Sequence, residues 1–202
     1  SRNNNLLYFL DFGSDIESTP EVSSFQANSL YNNPFNVLLV QEGAEWYGFV
    51  LNFTNGHLLR LSFGESLSGS PLVESLGNFT NRLNDPRGVI DVVEGGIHYL
   101  FITSLGNDKL YRLSFGDSFG NSVTEASLQE VLGSSQGIDG PYGISMIRDC
   151  DSWYGLLSSR VNERVYKLSF GSDITSVPSL EPYPNILGTN SSLVQDGSDF
   201  FG

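Results

Sequence analysis

Apolar and polar positions along this chain fall into short runs rather than helical stripes. Val89 to Val93, Tyr99 to Thr103 and Leu110 to Phe115 are β-branched or aromatic stretches of strand length. Turn residues separate them, Glu-Gly-Gly at 94–96 and Gly-Asn-Asp at 106–108. The breaks return as Glu-Gly-Ala at 43–45 and Thr-Asn-Gly at 54–56, then as Asp-Cys-Asp at 149–151 and Val-Asn-Glu at 161–163. A weaker fourth strand follows, as in Leu72 to Leu76 and Leu128 to Leu132. No segment carries the apolar period of about 3.6 that a helix needs, which excludes helical solenoids.

The strands belong to a repeat. One phrase returns four times, as LYFLDFG, LLRLSFG, LYRLSFG and VYKLSFG, with its aromatic at Phe12, Phe63, Phe115 and Phe170. The separations are 51, 52 and 55 residues. Pro34, Pro86 and Pro141 each precede the next of these phenylalanines by 29 residues, and Trp46-Tyr47, His98-Tyr99 and Trp153-Tyr154 start 17 before it. All length variation lies between one Phe and the next Pro, at 22, 23 and 26 residues. A block of fixed length followed by a variable connector suits closely packed strands with one looser outer strand.

Four strands per repeat of roughly fifty residues predict an all-β fold, a β-propeller of four-stranded antiparallel blades. Tandem β-sandwiches would need about a hundred residues per unit. The predicted repeats are 1–33 (partial), 34–85, 86–140, 141–188 and 189–202 (partial), all of one propeller segment. The Pro-opened strand is expected innermost, and Phe63, Phe115 and Phe170 are expected buried at equivalent places between blades. Three whole repeats with flanking halves suggest part of a longer polypeptide whose ring has six or seven blades. A four-bladed ring closed by splitting one blade between the two ends is the alternative.

Composition narrows the function classes. A net charge of −13 and a pI near 4.3 argue against nucleic acid, whose phosphates need a basic surface. No run approaches the ~20 apolar residues of a membrane helix, so no membrane insertion is expected. One cysteine, Cys150, excludes an internal disulfide framework. Flanking Asp149 and Asp151 oppose thiolate formation there, so a quiet turn cysteine is expected.

Candidate chemistry is sparse. His98 occupies the Trp46/Trp153 position and reads as a packing substitution, while His57 follows Asn55-Gly56 and reads as a solvated turn residue. No hydrolytic triad or cysteine-rich metal site can be assembled. Asp85, Asp139 and, less regularly, Asp196 stand just before the repeat openings, where turn chemistry alone accounts for them. Their functional reading is a ring of carboxylates at the channel mouth that binds sugar hydroxyls or a cation, for which Ca²⁺ is the suitable ion; no other cofactor is expected. Phe35, Arg87 and Tyr142 differ from one another while everything around them repeats, and so mark where a symmetric scaffold becomes a site. Asp85, Arg87, Asp139 and Tyr142 are the candidate binding residues, with no catalytic residue assigned.

The Pro-x-Gly opening, the Trp-Tyr-Gly second strand and the Leu-Ser-Phe-Gly-(Asp/Glu)-Ser phrase resemble NHL-like propeller repeats. More narrowly, they resemble propeller segments of large surface proteins of Bacteroidetes, which often carry PKD-type domains and a type IX secretion sorting domain. That resemblance implies export to the cell surface and a role in adhesion, gliding or polymer capture. The departures are Asn36, where Gly88 and Gly143 stand in the other repeats, and Gln195-Asp196-Gly197, which lacks the proline. The expected function is thus a non-catalytic, secreted or cell-surface module that binds a glycan or a protein beside other blades of its polypeptide. An architectural spacer is one alternative. A propeller lyase or glycosidase, built on clustered carboxylates or tyrosines at the channel mouth, is the other.

Overall fold

A computed structural model describes residues 5–25, 29–183, 194–196 and 199–201. Leu7–Asp11 (β1) and Glu21–Phe25 (β2) form a two-stranded sheet. The first whole blade is β3 (Pro34–Glu42), β4 (Glu45–Asn52), β5 (Leu58–Gly64) and β6 (Leu72–Gly77). The second is β7 (Pro86–Glu94), β8 (Ile97–Ser104), β9 (Lys109–Gly116) and β10 (Leu128–Leu132). The third is β11 (Pro141–Asp149), β12 (Ser152–Ser159), β13 (Arg164–Gly171) and β14 (Ser179–Tyr183). A last hairpin pairs β15 (Val194–Asp196) with β16 (Asp199–Phe201). Each whole blade is an antiparallel meander in chain order, as the repeat predicts. The Pro-opened strands of successive blades pack on one another, β3 against β7 and β7 against β11, which makes them the inner strands.

Hairpin turns follow from the backbone each break can adopt. Gly95 and Gly96 both take positive φ, 58° and 79°, as a two-residue turn between twisted strands requires. Cys150 and Asp151 adopt the same region, at φ 44° and 66°, without glycine's freedom. Cys150 is exposed, and its hydrogen bond to Asp149 is the first cause of a raised thiol pKa.

Alternation along the strands fills separate cores on the two sides of each blade. On β8, Leu100 and Ile102 face the first blade, while Tyr99 and Phe101 face the third. Buried on both sides, β8 therefore reads as a nearly continuous apolar run. Phe115 and Phe170 are 3% and 5% exposed, as expected. Phe63 is only partly buried, because it packs with Leu7 and Val50 on the side where β1 and β2 supply two strands rather than four.

Polar clasps repeat at both interfaces. Glu42 accepts the Phe119 N–H at 2.8 Å, and Arg60 donates to the Phe119 carbonyl at 2.7 Å. One blade on, Glu94 accepts the Ile174 N–H at 3.0 Å, and Arg112 donates to the Ile174 carbonyl at 2.9 Å. Phe119 and Ile174 each lie four residues past their blade's landmark Phe and are 1% and 0% exposed. His98 and Trp153 meet the same carboxylates: His98 Nε2 is 4.0 Å from Glu42, and Trp153 Nε1 donates to Glu94 at 2.7 Å. His98 thus stands at a packing landmark, edge-on to Phe119 at 4.5 Å.

Candidate functional site at the blade openings

The blade-opening loops are held by one set of bonds in every blade. Asn33, Asp85 and Gly140 precede their prolines with φ of 58°, 52° and 61°. Their carbonyls accept from the N–H groups of Phe53, Leu105 and Arg160 at 3.1, 3.0 and 2.9 Å. One residue earlier, Asn32, Asn84 and Asp139 are tied to the buried side chains of Asn52, Ser104 and Ser159. Asp85 and Asp139 are therefore not equivalent: Asp139 matches Asn84, and Gly140 matches Asp85.

Phe35, Arg87 and Tyr142 do converge. The Arg87 guanidinium lies 4.4 Å from the Phe35 ring, 4.3 Å from Phe53 and 5.5 Å from Tyr142. The Phe35 and Tyr142 rings meet edge-on at 5.7 Å. Asp85 takes the guanidinium side-on, with Nη2 donating to Oδ2 at 2.8 Å and Nε 2.6 Å from Oδ1. Arg87 is 6% exposed, so its donors are turned inward, while Asp139 is exposed. Of the four expected residues, Asp85, Arg87 and Tyr142 form one cluster, while Asp139, at the opening of the third blade, is exposed and joins Ser159 only through its carbonyl.

Inner strands are stitched just below this cluster. The Gly88 N–H donates to Thr103 Oγ1, which donates to the Tyr142 carbonyl, both at 2.7 Å. A Cβ on Gly88 would stand 2.6 Å from that carbonyl oxygen, which is why glycine is required there. In the first blade Leu51 replaces the hydroxyl of Thr103, and Asn36 replaces the glycine. Asn36 Nδ2 then donates to the Arg87 carbonyl at 3.0 Å, the acceptor equivalent to Tyr142. The departure at Asn36 is thus a substitute link between blades.

Sequence reasoning passed over Asp91. It stands in Val-Ile-Asp-Val-Val on β7, where the other blades carry Leu39 and Met146, and that break in an apolar column was its one signal. Burial is the main cause holding its carboxyl above the ordinary value, opposed by its own backbone hydrogen bond and by His98. His57 is half-buried rather than solvated, with Nδ1 2.9 Å from Ser75 Oγ. Among the described residues, no three His, Cys, Asp or Glu side chains are grouped to hold a metal ion.

Solved structures share this fold at low identity. An exo-β-1,3-galactanase from Clostridium thermocellum matches with a TM-score of 0.64 and 12% identity over 99% of this chain and 52% of its own. An exo-β-1,3-galactanase from Phanerochaete chrysosporium matches at 0.63 and 11%, over 96% and 48%. The catalytic domain of an α-L-arabinofuranosidase from Coprinopsis cinerea matches at 0.56 and 16%, over 82% and 55%. The fold is a propeller. This chain spans about half the length of the galactanases it matches. No protein-family model matches the sequence, and neither does any curated protein. These neighbours correct the expectation of a non-catalytic binding module: these solved propellers are glycosidases, and the glycosidase alternative fits them better.

Proposed function

We propose that this chain is part of a propeller glycoside hydrolase that takes a neutral polysaccharide at the blade-opening end. The observation that carries this reading is the convergence there of Phe35, Arg87 and Tyr142 on the Asp85 carboxylate, on a fold like that of galactanases and an arabinofuranosidase. Glycoside hydrolysis needs two carboxyl groups about 5–9.5 Å apart, one donating a proton to the leaving oxygen and one acting as nucleophile or activating water. Asp85, fixed by Arg87, supplies the positioned carboxylate, and the exposed Asp139 is the candidate proton donor. The aromatic rings offer faces for a sugar, and a charge of −13 disfavours polyanionic substrates. Export from the cell belongs to the same proposal, since polysaccharides lie outside it.

The test is sugar release from β-1,3-galactan oligosaccharides and aryl arabinofuranosides by the wild type, Asp85→Asn and Asp139→Asn. Loss of acid–base participation is expected to lower the rate roughly 100-fold or more. With the test made in the complete polypeptide, an inactive wild type, or variants as active as it, would overturn the reading. Arg87's burial favours one competitor, an architectural role for this ion pair. In that case Asp85→Asn lowers thermal stability and leaves any catalysis intact.

A further inference from the structure

The single Asn-Gly step of the chain, Asn55-Gly56, turns it between β4 and β5. That turn is held on several sides. The Asn52 N–H donates to the His57 carbonyl at 2.9 Å, and Asn78 Nδ2 donates to the Asn55 carbonyl at 3.3 Å. The Asn55 side chain curls back over the following peptide group, with Oδ1 accepting the His57 N–H at 3.1 Å. His57 is fixed in its turn by Ser75, whose Oγ lies 2.9 Å from Nδ1. Gly56 is buried with φ 70°, and a Cβ there would run into the Leu83 carbonyl oxygen, so only glycine fits.

Two groups of this turn are left over. Among the described residues nothing accepts the Gly56 N–H, although Gly56 is buried, and nothing accepts from Asn55 Nδ2. Buried backbone N–H groups are nearly always paired, so an orphan here calls for a reason. Asp139-Gly140 supplies the contrast, because there the Gly140 N–H donates to Asp108 Oδ1 at 2.8 Å. At Asn55 the backbone nitrogen is free to attack the side-chain carbonyl, whose oxygen already has a donor for the negative charge it would gain. The amide nitrogen that would leave is held by nothing.

We propose that Asn55 is a site of spontaneous modification, deamidated through a succinimide in the folded protein. The Gly56 nitrogen bonds to Asn55 Cγ while the His57 N–H stabilises the oxyanion on Oδ1. The Cγ–Nδ2 bond then breaks, and Nδ2 leaves as ammonia, balanced by the proton that the Gly56 nitrogen gave up. Water, which reaches the turn beside the exposed Thr54, opens the ring at either carbonyl to leave aspartate or isoaspartate. Attack at the main-chain carbonyl reroutes the backbone through Cγ and lengthens it by one carbon. The carbonyl that Asn78 holds then becomes a carboxylate. Gly56 lies against Leu83, which is buried in the core shared by the first two blades. A lengthened turn therefore presses on the connector that follows Asn78, where Phe79, Thr80 and Asn81 already take φ of 52°, 55° and 62°. The site acts as a timer on the joint between the first and second blades.

Peptide mapping by mass spectrometry reads the reaction in protein aged at mildly alkaline pH, folded and, in parallel, unfolded in urea. The peptide carrying residues 55–57 is expected to gain about one dalton, and about three in ¹⁸O-labelled water. The folded protein is expected to react at least as fast as the unfolded chain, because the turn presets ring closure. Isoaspartate is expected at position 55 and not at Asp139. Aged wild type should unfold at a lower temperature, with faster exchange of the 78–83 amides. Asn55→Gln, whose longer side chain closes the ring far more slowly, should show neither change. Should that variant fail to fold, Asn55→Ser keeps an acceptor for the His57 N–H and has no amide to lose. A folded protein that reacts more slowly than the unfolded chain overturns the proposal, as does isoaspartate at Asp139 in equal yield. Isoaspartate at position 55 with unchanged unfolding and exchange would overturn the timer.

Discussion

Asp91 is a carboxylate in a column of aliphatic side chains, and its pH behaviour follows from that setting. Desolvation disfavours the ionised form, so the folded-state pKa lies above the ordinary 3.8. Between 3.8 and the raised value the native state binds more protons than the unfolded chain. Its contribution to stability is therefore fully present below pH 3.8 and is lost as pH rises through the folded-state pKa. Asp91→Asn, neutral at all pH values, is expected to stabilise the protein relative to wild type near pH 7, with the difference vanishing below 3.8. Thermal unfolding of both proteins at the two pH values checks this, and a difference independent of pH would show that Asp91 is not penalised by burial.

At the scale of the strand, the repeat made the architecture readable, because burial against neighbouring blades imposes fixed spacings on Pro, Trp-Tyr and Phe. What the spacings could not convey is which groups lie opposite one another across an interface. Asn36 read as a divergence, yet it links blades because Leu51 lacks a hydroxyl. Asp85 and Arg87 read as free binding groups, yet two residues' separation lets them satisfy each other among aromatic rings. The candidate site was thus legible as a place and not as an arrangement. The Thr103 relay makes the same point quantitatively. Thr103→Val leaves the buried Gly88 N–H and the Tyr142 carbonyl without their shared partner, at an expected cost of about 1–3 kcal/mol. Thr103→Ser restores the hydroxyl and should recover most of it in denaturant unfolding. Equal losses in both variants would mean that the methyl group, not the relay, matters.

For the whole molecule, stability is organised blade by blade, since each core lies between two neighbours rather than at a common centre. The second blade contributes to both main cores, through Leu100 and Phe115 to one and Phe101 and Leu110 to the other. Its landmark, Phe115, belongs to the core shared with the first blade. Phe115→Ala removes a ring 3% exposed, tilted against Phe49 at 5.3 Å and edge-on to Phe119 at 5.4 Å, and is expected to cost about 3–5 kcal/mol. Phe63→Ala, at a half-buried site beside the two-stranded sheet, should cost clearly less despite standing at the same place in the repeat. Amide exchange locates the difference. In the wild type the slowest amides should lie on β8, the inner neighbour to strands on both sides and buried on both faces. Phe115→Ala should speed exchange in the first and second blades together, because the ring belongs to the core they share, while β13 and β14 keep more of their protection. Equal costs for the two truncations, or a uniform rise in exchange across all three blades, would show one undivided cooperative unit in place of coupled neighbours.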